Sequence, residues 1–293
     1  MTGDPYAEYR SLLFSIAYRV LGTAADAEDA VQDTWLKWSA ADRSRVADPR
    51  AYLVRIVTNV AIDRLRSARS RRETYVGPWL PEPVPTSPDV VDADTVSIAL
   101  LVVLETLSPI ERAVFVLREA FDFSHAEIAE AMGRSEESVR QTAHRARAHV
   151  AARRPRLQVD RRRQQVVTEQ FLAAATGGDI NALLELMAPD VALWTDGGGK
   201  VRQALKPVVG AERVAAWFAG VSQRPYEGVE PSAMAVDIVE LNGVPAVVFT
   251  GAGRVVAVLS LDLDAAGRVV AIHNIANPDK LRAVAAGSSS ALG

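Results

Sequence analysis

The stretch SHAEIAEAMGRSEESVRQTAHRARAHV, residues 124–150, has the most regular helical pattern in the sequence. Its first half predicts a short helix whose buried face is formed by Ile128, Ala129 and Met132. Gly133 permits a tight turn, and Ser135 can cap a second helix. The buried face of this second helix is predicted from apolar residues at helical spacing: Val139, Ala143, Ala146 and Val150. The stretch therefore predicts two helices joined by a glycine turn.

The second of these helices has a polar face opposite its apolar one. This face consists of Ser138, Arg140, Gln141, His144, Arg145 and Arg147. Side chains of these types hydrogen-bond base edges and phosphates when a helix lies in the major groove. The pattern favours a DNA-binding helix-turn-helix. A solvated basic helix in an ordinary bundle is the alternative.

Length and composition restrict the classes of protein that this chain can belong to. Its 293 residues suggest about two domains, or three small ones. The absence of cysteine excludes disulfides and cysteine-based metal sites, and the four histidines lie far apart in sequence. We therefore expect neither a metal site nor a cofactor. The chain has no apolar run of membrane-spanning length and its first residues are polar, so we expect a cytoplasmic protein without a membrane partner.

The net charge of −3 is an average over a strongly patterned chain. From Arg50 to Arg72 there are seven arginines and one acidic residue. From Arg134 to Arg163 there are ten arginines and three acidic residues. Two basic patches on an otherwise acidic protein are typical of contact with nucleic acid.

Changes of composition divide the chain into segments. Residues 4–72 and 96–154 are helical in pattern, whereas YVGPWLPEPVPTSP, residues 75–88, holds five prolines and one glycine and predicts an extended linker. After residue 161 two helices precede alternating apolar strands separated by glycine turns. We predict two all-α modules and one α+β domain. The expected bounds are 1–74, a linker at 75–95, 96–156, 161–285 and a flexible tail at 286–293.

The segment DAEDAVQDTWLKW, residues 26–38, predicts a helix with an acidic face. Four carboxylates lie along it: Asp26, Glu28, Asp29 and Asp33. Val31, Leu36 and the aromatic residues are expected to face inward. Because an acidic surface repels DNA, this face predicts a basic protein partner.

The segment RAYLVRIVTNVAIDRLR, residues 50–66, predicts a longer helix. Its core face is formed by Leu53, Ile56, Val57, Val60 and Leu65. The remaining surface carries Arg55, Asn59, Asp63, Arg66 and Arg69, with Tyr52 just upstream. An aromatic ring beside Asn, Asp and Arg suits an unstacked single strand. A charged surface helix without a ligand is the alternative for any one of these residues.

In this order, the two helical modules resemble regions 2 and 4 of extracytoplasmic-function (ECF) sigma factors. The resemblance implies that Asp29, Gln32 and Asp33 contact core RNA polymerase, at the coiled coil of its β′ subunit, with the β subunit as a further partner. It also implies that the loop at residues 43–48 helps to hold a flipped promoter base. The resemblance implies binding to the −10 element of promoter DNA by Tyr52, Arg55, Asn59, Asp63 and Arg66. It implies binding to the −35 element by Arg118, His125, Ser138, Arg140, Gln141, His144 and Arg145.

The C-terminal part opens with QVVTEQFLAAATGGDINALLELMAPDVALWTDGGG, residues 165–199, which is similar to the start of SnoaL-like domains of the nuclear-transport-factor-2-like (NTF2-like) fold. That resemblance implies three helices packed on a conical sheet. VVGAERVAAWFAGV, residues 208–221, would be the third helix.

The motif WTDGGGK, residues 194–200, lacks the glycine and hydroxyl positions of phosphate-binding loops. Apolar VALW before it and VRQAL after it predict two strands, with TDGGGK as the hairpin turn between them. A turn needs one or two glycines, and three of them beside Asp196 and Lys200 suggest close approach of another backbone. A flexible loop tip remains the alternative.

The whole layout resembles ECF sigma factors with a fused SnoaL-like extension. This resemblance implies that the extension modulates the sigma modules in cis, through contacts made by Trp79 of the linker and by Asp196, Gly197, Gly198, Gly199 and Lys200. Trp79 lies between Gly77-Pro78 and Leu80-Pro81, in a stiff segment that loses little entropy on docking. The sequence leaves open whether docking activates or inhibits.

Two other functions for the C-terminal domain remain open. An acid/base enzyme could use Asp196, Asp237, His273 or Asn274, although an aspartate in a glycine turn is expected to be poorly buried. A pocket could instead bind an unknown small ligand. A helix-turn-helix repressor with a ligand domain is a third interpretation of the whole chain, which the acidic face at Asp29 and Asp33 disfavours.

Overall fold

The computed structural model describes residues 4–86, 97–153 and 160–290. The chain forms two compact units. The first comprises Met1–Thr74, Ser87–Val96 and Leu100–Arg154, and the second comprises Tyr75–Thr86, Ser97–Ala99 and Pro155–Gly293. The first half of the predicted linker therefore belongs to the C-terminal unit. Its second half, residues 87–95, and the predicted boundary at residue 156 lie outside the described residues.

The N-terminal unit is built from helices. These are α1 (Pro5–Leu21), α2 (Ala24–Ser39), α3 (Pro49–Glu73), α4 (Ile98–Leu104), α5 (Pro109–Phe121), α6 (His125–Met132) and α7 (Glu136–Arg153), with a short 3₁₀ turn at Arg43–Arg45. None of the helices in the described ranges is both long and apolar enough to cross a membrane.

Local capping defines the ends of these helices. Asp48 caps α3 through the backbone N–H of Ala51. Ser108 and Ser124 each form a reciprocal capping box with a glutamate three residues later, at the starts of α5 and α6. Helix α6 ends at Gly133 in the left-handed region, with φ of 61°. All of these caps join residues that lie close together in the sequence.

The predicted helix-turn-helix core is confirmed. Val139, Ala143, Ala146 and Val150 of α7 are all buried, as are Ile128 and Ala129 of α6, whereas Met132 is half-buried. The Ser135 hydroxyl accepts the backbone N–H of Ser138 at 3.2 Å, which caps α7 as expected. Helices α6 and α7 therefore form the predicted motif.

The inward face of α2 differs from the prediction. Val31 and Trp38 are buried, but Leu36 is 51% exposed and Trp35 is 44% exposed. The buried positions follow the helical period through Ala27, Ala30, Val31, Thr34 and Trp38. Residues 35 and 36 fall between these positions and therefore face outward. An apolar surface thus adjoins the acidic residues of this helix.

The C-terminal unit is an α+β domain. Its helices are α8 (Arg161–Gly177), α9 (Ile180–Leu186), α10 (Ala211–Ser222) and α11 (Arg282–Ser290). Its strands are β1 (Met187–Asp196), β2 (Val208–Val209), β3 (Ala235–Leu241), β4 (Val244–Gly251), β5 (Arg254–Leu263) and β6 (Val269–Ile275). Residues 286–290, which the sequence assigns to a flexible tail, lie in α11.

The strands form one sheet in the order β2-β1-β6-β5-β4-β3. Strand β1 runs parallel to β6, and the other neighbours are antiparallel. Register shifts occur within the β1–β6, β4–β5 and β5–β6 pairs. Because such irregularities bend a sheet, they curve it around the helices. One face carries the core, in which Phe171 of α8 and Phe218 of α10 pack edge to face at 5.2 Å against Leu261 and Ile272.

The glycine motif is a loop rather than a hairpin turn. The residues VRQAL after Lys200 form no strand, and β1 instead pairs with β2, through Ala192 and Val209. Gly198 and Gly199 adopt left-handed φ values of 59° and 71° and turn the chain inward. Val201 then becomes buried against Ala257 and Ala276. Residues 201–205 therefore follow these contacts of Val201 and do not form the second strand that their sequence predicts.

Candidate functional sites

The polar face of α7 forms a continuous exposed surface. Arg140, Gln141, His144 and Arg145 line one shallow depression, and Ser138 lies half-buried one turn earlier. Arg140 pairs with Glu136 at 2.6 Å within the helix. Both groups of that pair are largely exposed, so the pair is weak and the guanidinium can leave it for a stronger acceptor.

Two further residues of the predicted −35 set lie beside the motif. His125 is half-buried at the first position of α6. Arg118 of α5 is half-buried, and its guanidinium donates to the carbonyl of Phe123 at 3.0 Å. Arg147 of α7, which is outside the predicted −35 set, pairs with Glu119 at 2.6 Å.

The predicted −10 residues follow one another along α3. The Tyr52 ring packs against Trp38 with centroids 5.8 Å apart, and the Arg55 guanidinium lies 5.0 Å from the Tyr52 ring. Asn59 and Asp63 are exposed. Arg66 pairs with Asp63 at 2.9 Å. The structure thus places all five side chains on one helix, with the aromatic ring at its N-terminal end.

Helix α6 covers part of this −10 face. The Asn59 amide donates to the carbonyl of Ala131 at 3.2 Å. Tyr52 and Arg55 line one groove with Phe123 and Ala131 of the second helical module. In this closed arrangement of the N-terminal unit, α6 contacts the −10 face at Asn59 and borders the groove that Tyr52 and Arg55 line.

A buried ionic cluster also joins the two helical modules. The carboxylate of Glu105 accepts from both Arg72 and Arg112. Arg112 is almost fully buried and donates to the carbonyl of Arg19 at 3.0 Å, and Arg72 donates to the carbonyl of Leu21 at 2.7 Å. Burial lowers the pKa of Arg72 from its ordinary value. This cluster could not be predicted from local sequence patterns, because its members lie on α3, α5 and the segment after α4.

The predicted polymerase-binding residues lie on α2. Gln32 and Asp29 are exposed and Asp33 is half-buried. Arg64 of α3 donates to Asp29 at 3.1 Å and to Asp33 at 2.7 Å. The pKa of Arg64 is raised by these two carboxylates, although burial alone would lower it. Arg64 of the same chain therefore neutralises part of the negative charge of Asp29 and Asp33.

Asp196, at the end of β1, holds the linker against the C-terminal domain. Its side chain is fully buried and accepts the Tyr75 hydroxyl and the backbone N–H of Gly198 on one oxygen. The other oxygen accepts the backbone N–H of Leu80 at 2.8 Å and the Lys280 ammonium at 2.6 Å. The expectation of a poorly buried aspartate is wrong, because the linker closes over this carboxylate.

Lys280 completes the ionic pair beneath the linker. Its ammonium is buried, donates to the carbonyl of Leu80 and lies 4.1 Å from the centroid of the Trp79 ring. The pKa of Tyr75 is raised by burial and by its bond to Asp196. The pair and the two rings form one site, the linker-docking site: Tyr75, Trp79, Leu80, Asp196, Asn277 and Lys280.

Each glycine of the motif makes room for a different neighbour. A Cβ on Gly197 would lie 2.3 Å from the carbonyl of Val201 and 2.9 Å from Gln203. A Cβ on Gly198 would lie 2.4 Å from the Asn277 amide and 3.0 Å from the Tyr75 hydroxyl. A Cβ on Gly199 would lie 3.2 Å from Val76. Two of the three glycines therefore face the linker, and one faces its own loop.

The linker continues as an added edge on the β3–β4 hairpin. Val84 and Asn242 form two hydrogen bonds. The Val84 N–H donates to Asn242 Oδ1 at 3.0 Å, and the Asn242 N–H donates to the Val84 carbonyl at 2.9 Å. The N–H of Thr86 donates to the backbone carbonyl of Glu240 at 3.2 Å. Residues 80–84 are buried. Tyr75–Thr86, the docked linker, is thus held at both ends.

Lys200 does not contact the linker in the described structure. Its ammonium pairs with Asp279 at 2.6 Å, and both groups are about half exposed. The hydrogen bond from Lys200 lowers the pKa of Asp279. Lys200 thus joins the glycine loop to the segment that carries Asn277 and Lys280.

The candidate acid/base residues do not converge on one pocket. His273 is buried and pairs with Asp262 at 2.8 Å, Asp237 is exposed, and Asp196 is closed off by the linker. Only Asn274 lines the cavity of the domain. Within the described ranges, no cluster of three or more histidine, aspartate or glutamate side chains could hold a metal ion.

Sequence reasoning missed three residues of the linker-docking site: Tyr75, Asn277 and Lys280. Asn277 and Lys280 belong to the segment NPDKL, which has the polar composition of an ordinary turn. Tyr75 opens the proline-rich segment. Their spacing in the chain gave no sign that they meet.

Comparison with known proteins agrees with this geometry. Residues 5–71 match the family model of sigma-70 region 2, and residues 97–150 match that of sigma-70 region 4. The chain is 39% identical to the ECF RNA polymerase sigma factor SigJ of Mycobacterium tuberculosis over 299 residues, which cover 96% of this chain and 93% of that protein. It is 32% identical over 280 residues to a probable ECF RNA polymerase sigma factor, SigI, of the same organism, covering 93% and 92% of the two chains.

A solved structure extends the likeness to the whole fold. The crystal structure of Mycobacterium tuberculosis SigJ aligns with a TM-score of 0.76 at 35% identity. The alignment covers 95% of this chain and 98% of that chain. Both helical modules and the C-terminal α+β domain are therefore common to the two proteins.

Proposed function

The chain belongs to the extracytoplasmic-function RNA polymerase sigma factors and is a transcription initiation factor, and we propose that its SnoaL-like domain regulates initiation in cis by holding the linker. The observation that carries the proposal is the buried Asp196–Lys280 pair, which engages the linker backbone at Leu80 from both sides. Docking fixes Tyr75–Thr86, so a shorter free connection remains between the two DNA-binding modules.

The closed N-terminal unit supports one direction of regulation. Strand capture needs the −10 face of α3, which α6 partly covers. A held linker limits how far the two modules can separate, whereas a released Tyr75–Thr86 segment can span up to about 40 Å at roughly 3.3 Å per residue. We propose that docking restrains initiation and that release permits it.

Core polymerase and promoter DNA are the partners of a sigma factor. We propose that Asp29, Gln32 and Asp33 contact the β′ subunit, together with the exposed Leu36 beside them, and that the β subunit is a further contact. The residues of the −10 and −35 sets bind the −10 and −35 elements of promoter DNA, as the family resemblance implies. This assignment places the protein in the cytoplasm and requires no catalytic residue and no cofactor.

We predict that Arg140→Ala and Gln141→Ala change preference at −35 bases by roughly 1–3 kcal/mol each, as loss of a good base contact does. Arg145→Ala should instead weaken all sequences alike and reduce the salt dependence by about one unit of slope, as loss of a phosphate contact does. The measurement is binding of the holoenzyme to promoter duplexes over a range of salt. Unchanged binding in all three variants would remove α7 from the interface.

The linker contact is tested by two matched glycine variants. Gly198 and Gly253 have similar φ values, 59° and 73°, but a Cβ on Gly253 would meet nothing within 4 Å. Both alanine variants therefore place a Cβ on a residue in the left-handed region and carry similar backbone strain. Only Gly198→Ala displaces Asn277 from Tyr75, at a cost of about 1–3 kcal/mol for the disturbed hydrogen bonds. We predict a several-fold higher yield in single-round transcription for Gly198→Ala and no change for Gly253→Ala. Equal yields would contradict regulation through this contact.

The alternative functions have weaker support. An acid/base enzyme would need Asp196 or His273 to reach a substrate, and these two groups are engaged by Lys280 and Asp262. A repressor that never binds polymerase would leave the acidic and apolar surface of α2 without a role. Retention of the protein on immobilised core polymerase distinguishes a sigma factor from such a repressor.

A further inference from the structure

The C-terminal end of α3 carries two arginines that contact residues 105–107, which lie between α4 and α5. The Arg69 guanidinium donates to the backbone carbonyl of Glu105 at 3.2 Å and to that of Leu107. The Arg72 guanidinium donates to the Glu105 carboxylate. Two carbonyl oxygens and one carboxylate of the second helical module therefore lie against this end of α3.

The ionic cluster around Glu105 fixes that segment in place. Its carboxylate is shared by Arg72 and Arg112, whose side chains are 14% and 1% exposed. One carboxylate thus serves two guanidinium groups, and Arg112 Nη2 is buried without a hydrogen-bond partner among the described residues. Because buried donors are normally paired, the closed contact satisfies these arginines only in part.

The position of Arg69 on α3 connects it to the predicted −10 set. Arg66 belongs to that set, and a residue three positions later is its neighbour on a helix surface. A DNA strand bound by Asn59 and Arg66 would therefore reach Arg69 next. In the closed N-terminal unit, however, the carbonyls of Glu105 and Leu107 hold the half-buried Arg69 guanidinium.

We propose that Arg69 is a phosphate-binding residue for promoter DNA, and that residues 105–107 mask it while the two helical modules are closed. A phosphate offers the guanidinium several acceptor oxygens in place of these carbonyls. It is also the stronger partner, since its charge strengthens the hydrogen bonds and its binding releases counterions. Separation of the modules thus exchanges an internal contact for a DNA contact. The phosphate contact rests on the proposed −10 face of α3, whereas the masking does not, and neither depends on linker docking.

The phosphate contact is tested in the holoenzyme by comparing Arg69→Ala with Arg66→Ala. The probe is a forked promoter DNA with a single-stranded −10 region, and binding is measured over a range of salt. Arg69→Ala should weaken binding to all −10 sequences alike and lower the salt dependence by about one unit of slope, as loss of one phosphate contact does.

The two variants separate failure of this contact from failure of the −10 face. Weaker binding by Arg66→Ala together with an unchanged slope for Arg69→Ala would overturn the phosphate contact and leave the −10 face standing. Unchanged binding by both variants would overturn both assignments.

The masking is tested on the full chain without polymerase, with the same DNA. Glu105→Gln removes the charge that holds residues 105–107 and should raise the salt dependence by at least about one unit of slope. Arg69→Ala in the Glu105→Gln background should then remove about one unit. Glu28→Gln is the matched control, because Glu28 also pairs with an arginine, Arg10, at 2.6 Å. An equal rise in Glu28→Gln, no rise in Glu105→Gln, or no effect of Arg69→Ala in that background would overturn the masking.

A second measurement on the masking needs no change at Glu105. In the isolated chain with Glu105 intact, Arg69→Ala should leave the salt dependence unchanged, because the guanidinium is already held by carbonyls. Loss of about one unit of slope in this variant would show that Arg69 is accessible to DNA in the closed unit and would overturn the masking.

Discussion

Asp196→Ala is expected to release the docked linker and to destabilise the C-terminal unit by about 3–5 kcal/mol, the usual consequence of breaking a buried ion pair. The variant leaves the buried Lys280 ammonium without its counter-ion and frees the Tyr75 hydroxyl and the Leu80 N–H. Chymotryptic cleavage after Tyr75 and Trp79 should therefore become much faster. Thermal unfolding of the same samples separates linker release from loss of the whole domain.

Two further variants make this result specific. Replacing both partners, as Asp196→Leu with Lys280→Met, removes the uncompensated charge and should recover much of the lost stability without restoring the linker contact. Lys200→Met breaks only the exposed pair with Asp279 and should leave cleavage unchanged. A cleavage rate for Asp196→Ala equal to that of the wild type would mean that the linker is held by other contacts.

Cross-linking α3 to α6 is expected to abolish promoter opening. Ala51 and Glu130 line the groove between these helices and lie outside the predicted −10 set. The chain contains no cysteine, so Ala51→Cys with Glu130→Cys supplies the only thiols. A reversible bis-methanethiosulfonate reagent should then lock the closed N-terminal unit. Permanganate reactivity of the −10 region should fall at least tenfold, because capture of unstacked bases offsets the cost of melting.

The same protein provides its own control. Dithiothreitol cleaves the cross-link and should restore opening to the level of the untreated double variant. Each single-cysteine variant treated with the reagent should open the promoter normally. Normal opening by the cross-linked protein would show that initiation does not require the two helical modules to separate.

Local patterns in the sequence were sufficient to predict the helical modules. The buried face of α7 repeats at the helical period, and Ser135 and Gly133 are a cap and a turn that act over three or four residues. The outward position of Leu36 could not be predicted in the same way, because an exposed leucine looks in the sequence like a core residue. The helix periodicity therefore predicted the fold better than the partner surface.

The linker-docking site could not be predicted, because its members lie far apart in the chain. Asp196 bonds Lys280, 84 residues later, and Tyr75, 121 residues earlier. Aspartate beside glycines is typical of exposed turns, so burial was not expected. The failed strand at VRQAL has a related cause, since burial of Val201 depends on tertiary contacts with Ala257 and Ala276. In both cases a long-range contact overrides a local preference.

Single-round run-off transcription with core RNA polymerase tests the central claim most directly, by comparing the wild type with Asp196→Ala and Lys200→Met. If the docked linker restrains initiation, Asp196→Ala should give several-fold more transcript than the wild type, at unchanged start sites, and Lys200→Met should match the wild type. A transcript yield from Asp196→Ala that equals or falls below that of the wild type would contradict regulation by linker docking.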